Sequence, residues 1–100
     1  MVDIAGDGSI QMNMQELTTG TIHKLPYKII ILNNSFLGMV RQWQDMFYDK
    51  RYSGVDLTGN PDFVKLAEAH GAVGLRCGDR DKVVETLERA MEVDDGPVMV

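Results

Sequence analysis

The sequence predicts an α/β fold in which helices flank a parallel sheet. Short apolar segments of strand length alternate with longer segments of helical periodicity, which is typical of parallel sheets joined by crossover helices. The run Lys28–Leu32 is apolar without a break, as expected for a strand that is covered on both faces. Helix-boundary residues stand at Asn60-Pro61-Asp62 and at Gly71.

The first third of the chain predicts a strand, a tight turn and a helix. Val2–Ala5 is short and apolar, and Gly6-Asp7-Gly8 interrupts it as a turn would. A helix is expected over Gln11–Lys24, with Ser9 as its N-terminal cap. Pro26 ends that helix and leads into the second strand.

The middle of the chain predicts two further helices around an irregular loop. Leu37–Phe47 carries an apolar stripe at helical spacing, made of Met39, Val40, Trp43, Met46 and Phe47. Tyr48–Asn60 is rich in Gly, Asp, Ser and Lys and is interpreted as a loop. Asn60 is predicted to be the N-cap of the next helix, with Pro61 in its first turn and Gly71 at its end.

The last third predicts a strand, a helix and a final strand. Ala72–Arg76 reads as a short strand, and Asp79 caps a helix that runs to about Met91. The residues expected to face inward from this helix are Val83, Val84, Leu87 and Met91. Asp94-Asp95-Gly96 turns the chain into the strand Pro97–Val100.

Composition restricts the class of protein. The formal net charge of −5 argues against a nucleic-acid partner, which would favour a basic surface. Cys77 is the only cysteine, so an internal disulfide is impossible and the thiol is interpreted as a packed hydrophobic residue. The longest apolar run, Ile29–Leu32, is far shorter than the roughly 20 residues of a membrane span, so no membrane association is expected.

The sequence also gives expectations for the cellular location of the protein and for its domain bounds. Without a visible signal peptide the protein is expected to be cytoplasmic, or in a plastid or mitochondrion if a transit peptide preceded the segment. Both ends of the chain lie close to apolar, strand-like segments. Residues 1–100 are therefore expected to form one partial domain that is truncated at both ends.

Two polar motifs follow the first two predicted strands. Asp7 offers a carboxylate, Gly8 and Ser9 offer backbone N–H groups at a helix start, and Asn34 offers an amide oxygen. Each motif alone is more often a plain turn or loop. The 24 residues between Gly8 and Asn33 suffice for one crossover, which would bring both motifs to the same sheet edge. Oxygen ligands of this kind, completed by phosphate, suit Mg²⁺.

These residues also carry a family resemblance. Gly6-Asp7-Gly8, 24 residues and Asn33-Asn34 together resemble the signature of thiamine-diphosphate enzymes. The stretches Gly6–Leu17, Gly38–Gln44 and Asn60–Ala69 are similar to the large, catalytic subunit of acetolactate synthase, or acetohydroxyacid synthase. The likeness covers nearly the whole chain and implies a partial C-terminal thiamine-diphosphate-binding domain.

The resemblance implies roles for ten residues. Asp7, the side chain of Asn34 and the backbone carbonyl of Phe36 are implied as Mg²⁺ ligands. The residues implied to bind the cofactor are Gly6, Asp7, Gly8, Ser9, Asn34, Phe36, Gly38 and Met39. Val40 and Trp43 are implied to line the substrate pocket, although their spacing alone fits a helix packed by its apolar stripe. No catalytic residue is assigned, and Arg41 and Lys50 are interpreted as solvated charges.

The implied activity belongs to a longer protein. In the family, thiamine diphosphate and Mg²⁺ serve the condensation of pyruvate with a second 2-oxo acid in branched-chain amino acid biosynthesis. The full-length family also implies an FAD-binding domain, a homodimer or tetramer, and a regulatory small subunit. The glutamate that activates the cofactor lies on another domain, so the isolated chain is expected to be inactive.

Two alternatives stay open. One is a fragment of another thiamine-diphosphate enzyme, such as a 2-oxo acid decarboxylase, oxidase or carboligase. The other is a non-catalytic α/β module that binds phosphate or a partner chain. Magnesium-dependent binding of thiamine diphosphate would separate the second alternative from the enzyme fragments.

Overall fold

Four parallel strands form the sheet in the computed structural model, which describes all 100 residues. The strands are β1 (Val2–Gly6), β2 (Lys28–Leu32), β3 (Val73–Gly74) and β4 (Val98–Met99). Their spatial order is β1-β2-β4-β3, and every neighbouring pair is parallel. The predicted α/β class is confirmed, and β3 and β4 are shorter than the strands predicted around them.

Five α-helices and one 3₁₀ turn connect the strands. The helices are α1 (Asp7–Ile10), α2 (Glu16–Ile22), α3 (Gly38–Phe47), α4 (Phe63–Ala69) and α5 (Val83–Glu92). The 3₁₀ turn, Arg80–Lys82, leads directly into α5. None of the helices combines the length and the apolar character that crossing a bilayer requires.

The helix predicted over Gln11–Lys24 is wrong in its bounds. The chain forms the single turn α1 first, then a series of turns, and only then α2. Ser9 lies inside α1 and is not a cap, since α1 begins after Gly6 without a side-chain cap. Helix α2 ends at Ile22, several residues before the proline that was expected to end it.

The core lies between one face of the sheet and helices α2 and α4. Leu17 of α2 and Ala67 of α4 are fully buried there against Ala5, Ile29 and Met99 of the strands. The parallel register aligns Ile29 with Met99, which keeps these side chains on one face. Helix α2 thus reaches the core through Leu17, whereas the short helix α1 is the one that contacts both β1 and β2 after the first strand ends.

The opposite face of the sheet is only partly covered. Lys28 points to this face and donates to the Val93 carbonyl just after α5, while Ile4 and Leu32 are exposed. The prediction that Val84 and Met91 face inward from α5 is wrong, because they are 68% and 61% exposed. Val83 is also exposed and Leu87 is half-buried.

The side of α5 that packs inward carries smaller residues than predicted. Thr86 and Ala90 are its buried positions. The Thr86 hydroxyl donates to the Lys82 carbonyl at 2.8 Å, so its polar group is satisfied within the helix. Helical periodicity located the apolar stripe correctly, but the stripe faces outward.

Asp62 caps α4, and the prediction that Asn60 does so is wrong. The Asp62 carboxylate accepts from the backbone N–H groups of Val64 and Lys65, and Arg76 pairs with it at 2.7 Å. Pro61 lies before the helix, and Gly71 follows its end with φ +75°, a conformation that favours glycine. Capping by Asp62 leaves the Asn60 side chain free for other contacts.

The Asp62 cap makes stability depend on pH. Hydrogen bonds from the N–H groups of Lys65 and Val64, with the charge of Arg76, outweigh burial and hold the pKa of Asp62 below its usual value. A carboxyl whose folded pKa is lowered stabilises the fold above its unfolded pKa of about 3.9. That contribution is lost as the pH falls through the folded pKa.

We therefore expect Asp62→Asn to lower the urea midpoint at pH 7 and to have a vanishing effect at acid pH. Unfolding curves from pH 7 down to pH 2 for both chains measure this difference. Glu68→Gln, on the exposed side of the same helix, is the matched control. A loss of stability that stays constant with pH would contradict the proposed origin of the effect.

Candidate functional site

A cleft of about 370 Å³ opens at the carboxyl ends of β1 and β2. The register pairs Gly6 with Leu32, so both strands end side by side and deliver their following loops to one edge. The residues of predicted function that line this cleft are Gly6, Asp7, Gly8, Ser9, Asn34, Phe36, Gly38, Met39 and Val40. The structure thus brings nine of the ten predicted positions together, and Trp43 lies outside the cleft.

Asp7 is a buried carboxylate at the tip of β1. The residue is 1% exposed. Its Oδ2 accepts a hydrogen bond of 2.7 Å from Asn60 Nδ2, and its backbone carbonyl accepts one of 2.9 Å from Gln11 Nε2. Its other oxygen, Oδ1, has no hydrogen-bond partner in the chain. Every side-chain oxygen that is fully shielded from solvent does have a partner, so Oδ1 is not fully shielded. Asp7 Oδ1 is therefore the oxygen that opens toward the cleft.

The turn after β2 supplies two neutral oxygens. Asn34 Oδ1 accepts from the Phe36 N–H at 3.0 Å, which folds the segment back on itself through Ser35 at φ +60°. The Phe36 carbonyl accepts no hydrogen bond. One of the two lone pairs of Asn34 Oδ1 and the carbonyl of Phe36 remain available to a further ligand.

A second segment of backbone holds this turn in place. Phe36 pairs with Asp56 in an isolated antiparallel bridge, and the Leu57 N–H donates to the Ser35 carbonyl at 2.8 Å. The Leu37 N–H donates in turn to the carbonyl of the buried Val55 at 2.9 Å. Because backbone bonds fix the position of the Phe36 carbonyl, its position does not depend on the side chain at residue 36.

Gly8 lies in the first turn of α1, where neighbouring side chains come close to the backbone. A Cβ at this position would lie 2.5 Å from Leu37 Cδ2 and 3.1 Å from Leu57 Cδ1. The first N–H groups of a helix have no intrahelical partner and attract anions. The glycine therefore lets Leu37 and Leu57 pack directly against residue 8, and Gly8 and Ser9 line the cleft beside Asp7.

The cleft carries one acidic side chain and no basic one. Its lining contains Asp7 but no Lys, Arg or His. The chain also has no group of three or more His, Cys, Asp or Glu that could bind a metal by themselves. A cation in this cleft would be held by one carboxylate with neutral oxygens, which leaves it enough positive charge to attract a phosphate group.

Helix α3 presents its apolar stripe to the outside. No residue of α3 is buried, so the stripe does not pack into the core of this chain, although its spacing alone would fit a packed helix. Met39 is 71% exposed and lines the cleft, whereas Trp43 is 56% exposed and lines a neighbouring cleft of about 410 Å³. Val40 lines both clefts and connects them. The ring of Trp43 packs against Phe47 with centroids 5.2 Å apart.

Arg41 organises the loop that follows α3. Its guanidinium lies 4.0 Å from the ring centroid of Phe36 and 4.9 Å from that of Tyr52, so the interpretation of Arg41 as a solvated charge is wrong. Tyr52 also donates to Asp45, and this hydrogen bond is the main reason why the pKa of Tyr52 is raised. These contacts join the loop, the helix and the turn that carries the Phe36 carbonyl.

Sequence reasoning missed Asn60 and Gln11 as well as Arg41. Asn60 was expected to cap a helix, and its contact with Asp7 crosses 53 residues of chain. Gln11 stands in a stretch that carries the family resemblance, but no periodicity or motif assigned it a contact. A buried carboxylate needs a polar partner, which the sequence could have led us to expect for Asp7. Only the fold shows which residue that partner is.

Comparison with known proteins identifies the whole chain as one family domain. The model for "Thiamine pyrophosphate enzyme, C-terminal TPP binding domain" matches residues 1–100. An acetolactate synthase of Mycobacterium avium is 50% identical over 97% of the chain, and an acetolactate synthase large subunit of Haemophilus influenzae is 47% identical over all of it. The chain spans only 16% and 18% of the length of these two relatives.

Among solved structures, a decarboxylase has the same fold. It is a thiamine diphosphate-dependent 4-hydroxybenzoylformate decarboxylase of Rhodococcus jostii RHA1. It superposes with a TM-score of 0.90 at 28% identity, and the match covers 98% of this chain and 18% of that one. The four strands and their order are thus an arrangement that occurs inside a much longer enzyme.

Proposed function

This chain belongs to the thiamine pyrophosphate enzymes, whose C-terminal TPP-binding domain it matches throughout, and from that premise we propose how it holds the cofactor. The cleft at the ends of β1 and β2 binds the diphosphate of thiamine diphosphate through one Mg²⁺. Asp7 Oδ1, Asn34 Oδ1 and the Phe36 carbonyl are the ligands from the protein, and the backbone of Gly8 and Ser9 faces the phosphates.

One observation carries the proposal of a metal. The proposed ligand is strongly anionic, yet the only charged residue that lines the cleft is the acidic Asp7. An anion beside a buried carboxylate is unfavourable unless a cation lies between them. The oxygen-only donor set, with a single carboxylate, is what Mg²⁺ prefers when phosphate completes its coordination.

We assign the neighbouring residues to two further roles, contact with the rest of the cofactor and contact with the substrate. Gly38 and Met39 lie at the start of α3 on the wall of the same cleft, where they would contact the ring portion of thiamine diphosphate. Val40 and Trp43 lead from there into the second cleft, which receives the substrate. When bound, thiamine diphosphate supplies a carbon nucleophile and an electron sink for decarboxylating a 2-oxo acid.

For the longer enzyme we propose acetolactate synthase activity, the condensation of pyruvate with a second 2-oxo acid. Identities of 47–50% to acetolactate synthases over nearly the whole chain support it, against 28% to the decarboxylase. The name "large subunit" of the relatives supports a small regulatory partner. FAD, a homo-oligomer and a cytoplasmic location belong to the same proposal.

Calorimetric titration of the chain with thiamine diphosphate tests the cofactor site. We expect binding with Mg²⁺ and none with excess EDTA, because the metal is the only source of positive charge. Thiamine, which lacks the diphosphate, is the matched control ligand and is expected not to bind. Equal affinity with and without Mg²⁺ would contradict the proposed arrangement, and no binding at all would favour a module with another ligand.

The isolated chain is expected to have no synthase activity. It provides Mg²⁺ ligands and a cleft wall, but no titratable side chain other than Asp7 lines the cleft. Purified chain with pyruvate, thiamine diphosphate and Mg²⁺ should form acetolactate no faster than a mixture without protein. Acetolactate above that background, in a preparation free of host enzyme, would contradict this expectation.

A further inference from the structure

The buried carboxylate of Asp7 is held by a closed ring of hydrogen bonds. Asn60 Nδ2 donates to Asp7 Oδ2 at 2.7 Å, and Gln11 Nε2 donates to Asn60 Oδ1 at 2.8 Å. The same nitrogen of Gln11 donates to the Asp7 carbonyl at 2.9 Å. Both hydrogens of Gln11 Nε2 are thereby used, which fixes the orientation of the Asn60 amide with its NH₂ group toward Asp7.

This ring distinguishes the two oxygens of the carboxylate. Oδ2 receives the Asn60 hydrogen bond, while Oδ1 has no partner and opens to the cleft. A carboxylate without the Asn60 bond could rotate about its Cβ–Cγ bond, which is a soft torsion. The contact with Asn60 therefore selects which oxygen faces a ligand in the cleft and in which direction its lone pairs point.

The side chain of Asn60 has no other role in the fold that would explain its position. Asp62 provides the cap of α4, and Asn60 makes no hydrogen bond to that helix. The backbone N–H of Asn60 donates to the Leu57 carbonyl at 3.0 Å, which ties the residue to the loop that also braces Phe36. The side chain is thus carried to Asp7 by the segment that positions another oxygen of the cleft.

We infer that Asn60, oriented by Gln11, is a positioning residue that presents Asp7 Oδ1 to a divalent cation bound in the cleft. The inference rests on the proposed magnesium site and adds a residue outside it. Asn60 does not contact the cation. It acts through Asp7, as hydrogen-bond partners of metal ligands commonly do.

Binding of Mn²⁺, followed by electron paramagnetic resonance in saturating thiamine diphosphate, tests the inference without an activity assay. We expect Asn60→Ala to weaken Mn²⁺ binding by roughly 10- to 100-fold, the range found when partners of metal ligands are removed. Asp62→Ala is the matched control. It loosens the start of α4 two residues away but leaves the ring intact, so its Mn²⁺ affinity should stay within about threefold of wild type.

A charge exchange keeps the test informative if Asn60→Ala unfolds. Asn60→Asp places two carboxylates against each other and should lower the melting temperature of the metal-free chain. Adding Asp7→Asn restores one donor and one acceptor, so the double variant should regain most of that loss while failing to bind Mn²⁺. The pair is a double-mutant cycle that isolates the contact between the two side chains.

The possible failures are distinguishable. If the wild-type chain binds no Mn²⁺ with thiamine diphosphate, the proposed magnesium site fails and the positioning role fails with it. If the wild type binds but Asn60→Ala binds equally well, or Asp62→Ala weakens binding as much, only the positioning role is overturned. Independent effects of the exchanged residues on the melting temperature would overturn the contact itself.

Discussion

Asp7→Asn is expected to weaken binding of thiamine diphosphate in Mg²⁺ by about 100-fold or more, equivalent to roughly 2.7 kcal/mol. The change replaces the only charged oxygen that faces the cleft by a neutral atom of the same size. Mg²⁺ binds a neutral amide far less strongly than a carboxylate, and the diphosphate then lacks its counterion. Calorimetric titration with saturating Mg²⁺ measures the loss directly.

The fold should survive this substitution. The new amide keeps the shape of Asp7 and can still accept from Asn60 Nδ2, so the ring of hydrogen bonds remains closed. Asp3→Asn, the same change at an exposed residue of β1, is the control and should bind the cofactor like the wild type. Retained Mg²⁺-dependent binding in folded Asp7→Asn would contradict the role of Asp7 as a ligand.

Gly74→Ala is expected to have the largest effect on stability among single methyl additions, about 2–3 kcal/mol. A Cβ at Gly74 would lie 2.7 Å from the Val64 carbonyl oxygen and 3.0 Å from its Cα. These are backbone atoms of α4, so no side-chain rotation relieves the overlap. Strand β3 or helix α4 would have to move. Ala67 of the core lies on α4, and Met99 of the core lies on β4, directly beside Gly74 in the sheet.

Gly78→Ala is the matched control for this prediction. No atom lies within 4 Å of a Cβ at residue 78, and its φ is not positive. The added methyl group should be neutral or stabilise by about 0.4–1 kcal/mol through the unfolded chain. Urea unfolding of both variants measures the difference, and equal stabilities would show that α4 and β3 are less closely packed than the structure indicates.

Much of the site was predictable because it depends on a general property of parallel sheets. The apolar run Lys28–Leu32 identified β2 at its true bounds, and the short run Val2–Ala5 identified β1 to within one residue. Parallel strands end at the same edge, so Gly6-Asp7-Gly8 and Asn33-Asn34 had to come together once the strands were neighbours. The prediction used only local sequence and one rule of topology.

Other features could not be predicted because they depend on what lies opposite a residue. The stripe of α5 was located correctly, yet Val84 and Met91 face outward while Thr86 and Ala90 pack inward. Periodicity reports that apolar residues share a face and does not report what covers that face. Asn60 shows the same difficulty. Its neighbours in the sequence predict a helix cap, which is a local role, whereas its actual partner, Asp7, is 53 positions away.

The hydrogen bond between Asn60 and Asp7 also has a consequence for the order of events during folding. It joins residues 53 positions apart, whereas α1 and its turn need only neighbours in the sequence. Forming such a distant contact requires closing a long loop, so it follows the local contacts. The Asp7 carboxylate is therefore held in one orientation only after β1 and the segment before α4 have come together. A cofactor that binds this completed arrangement would stabilise it relative to partly folded states.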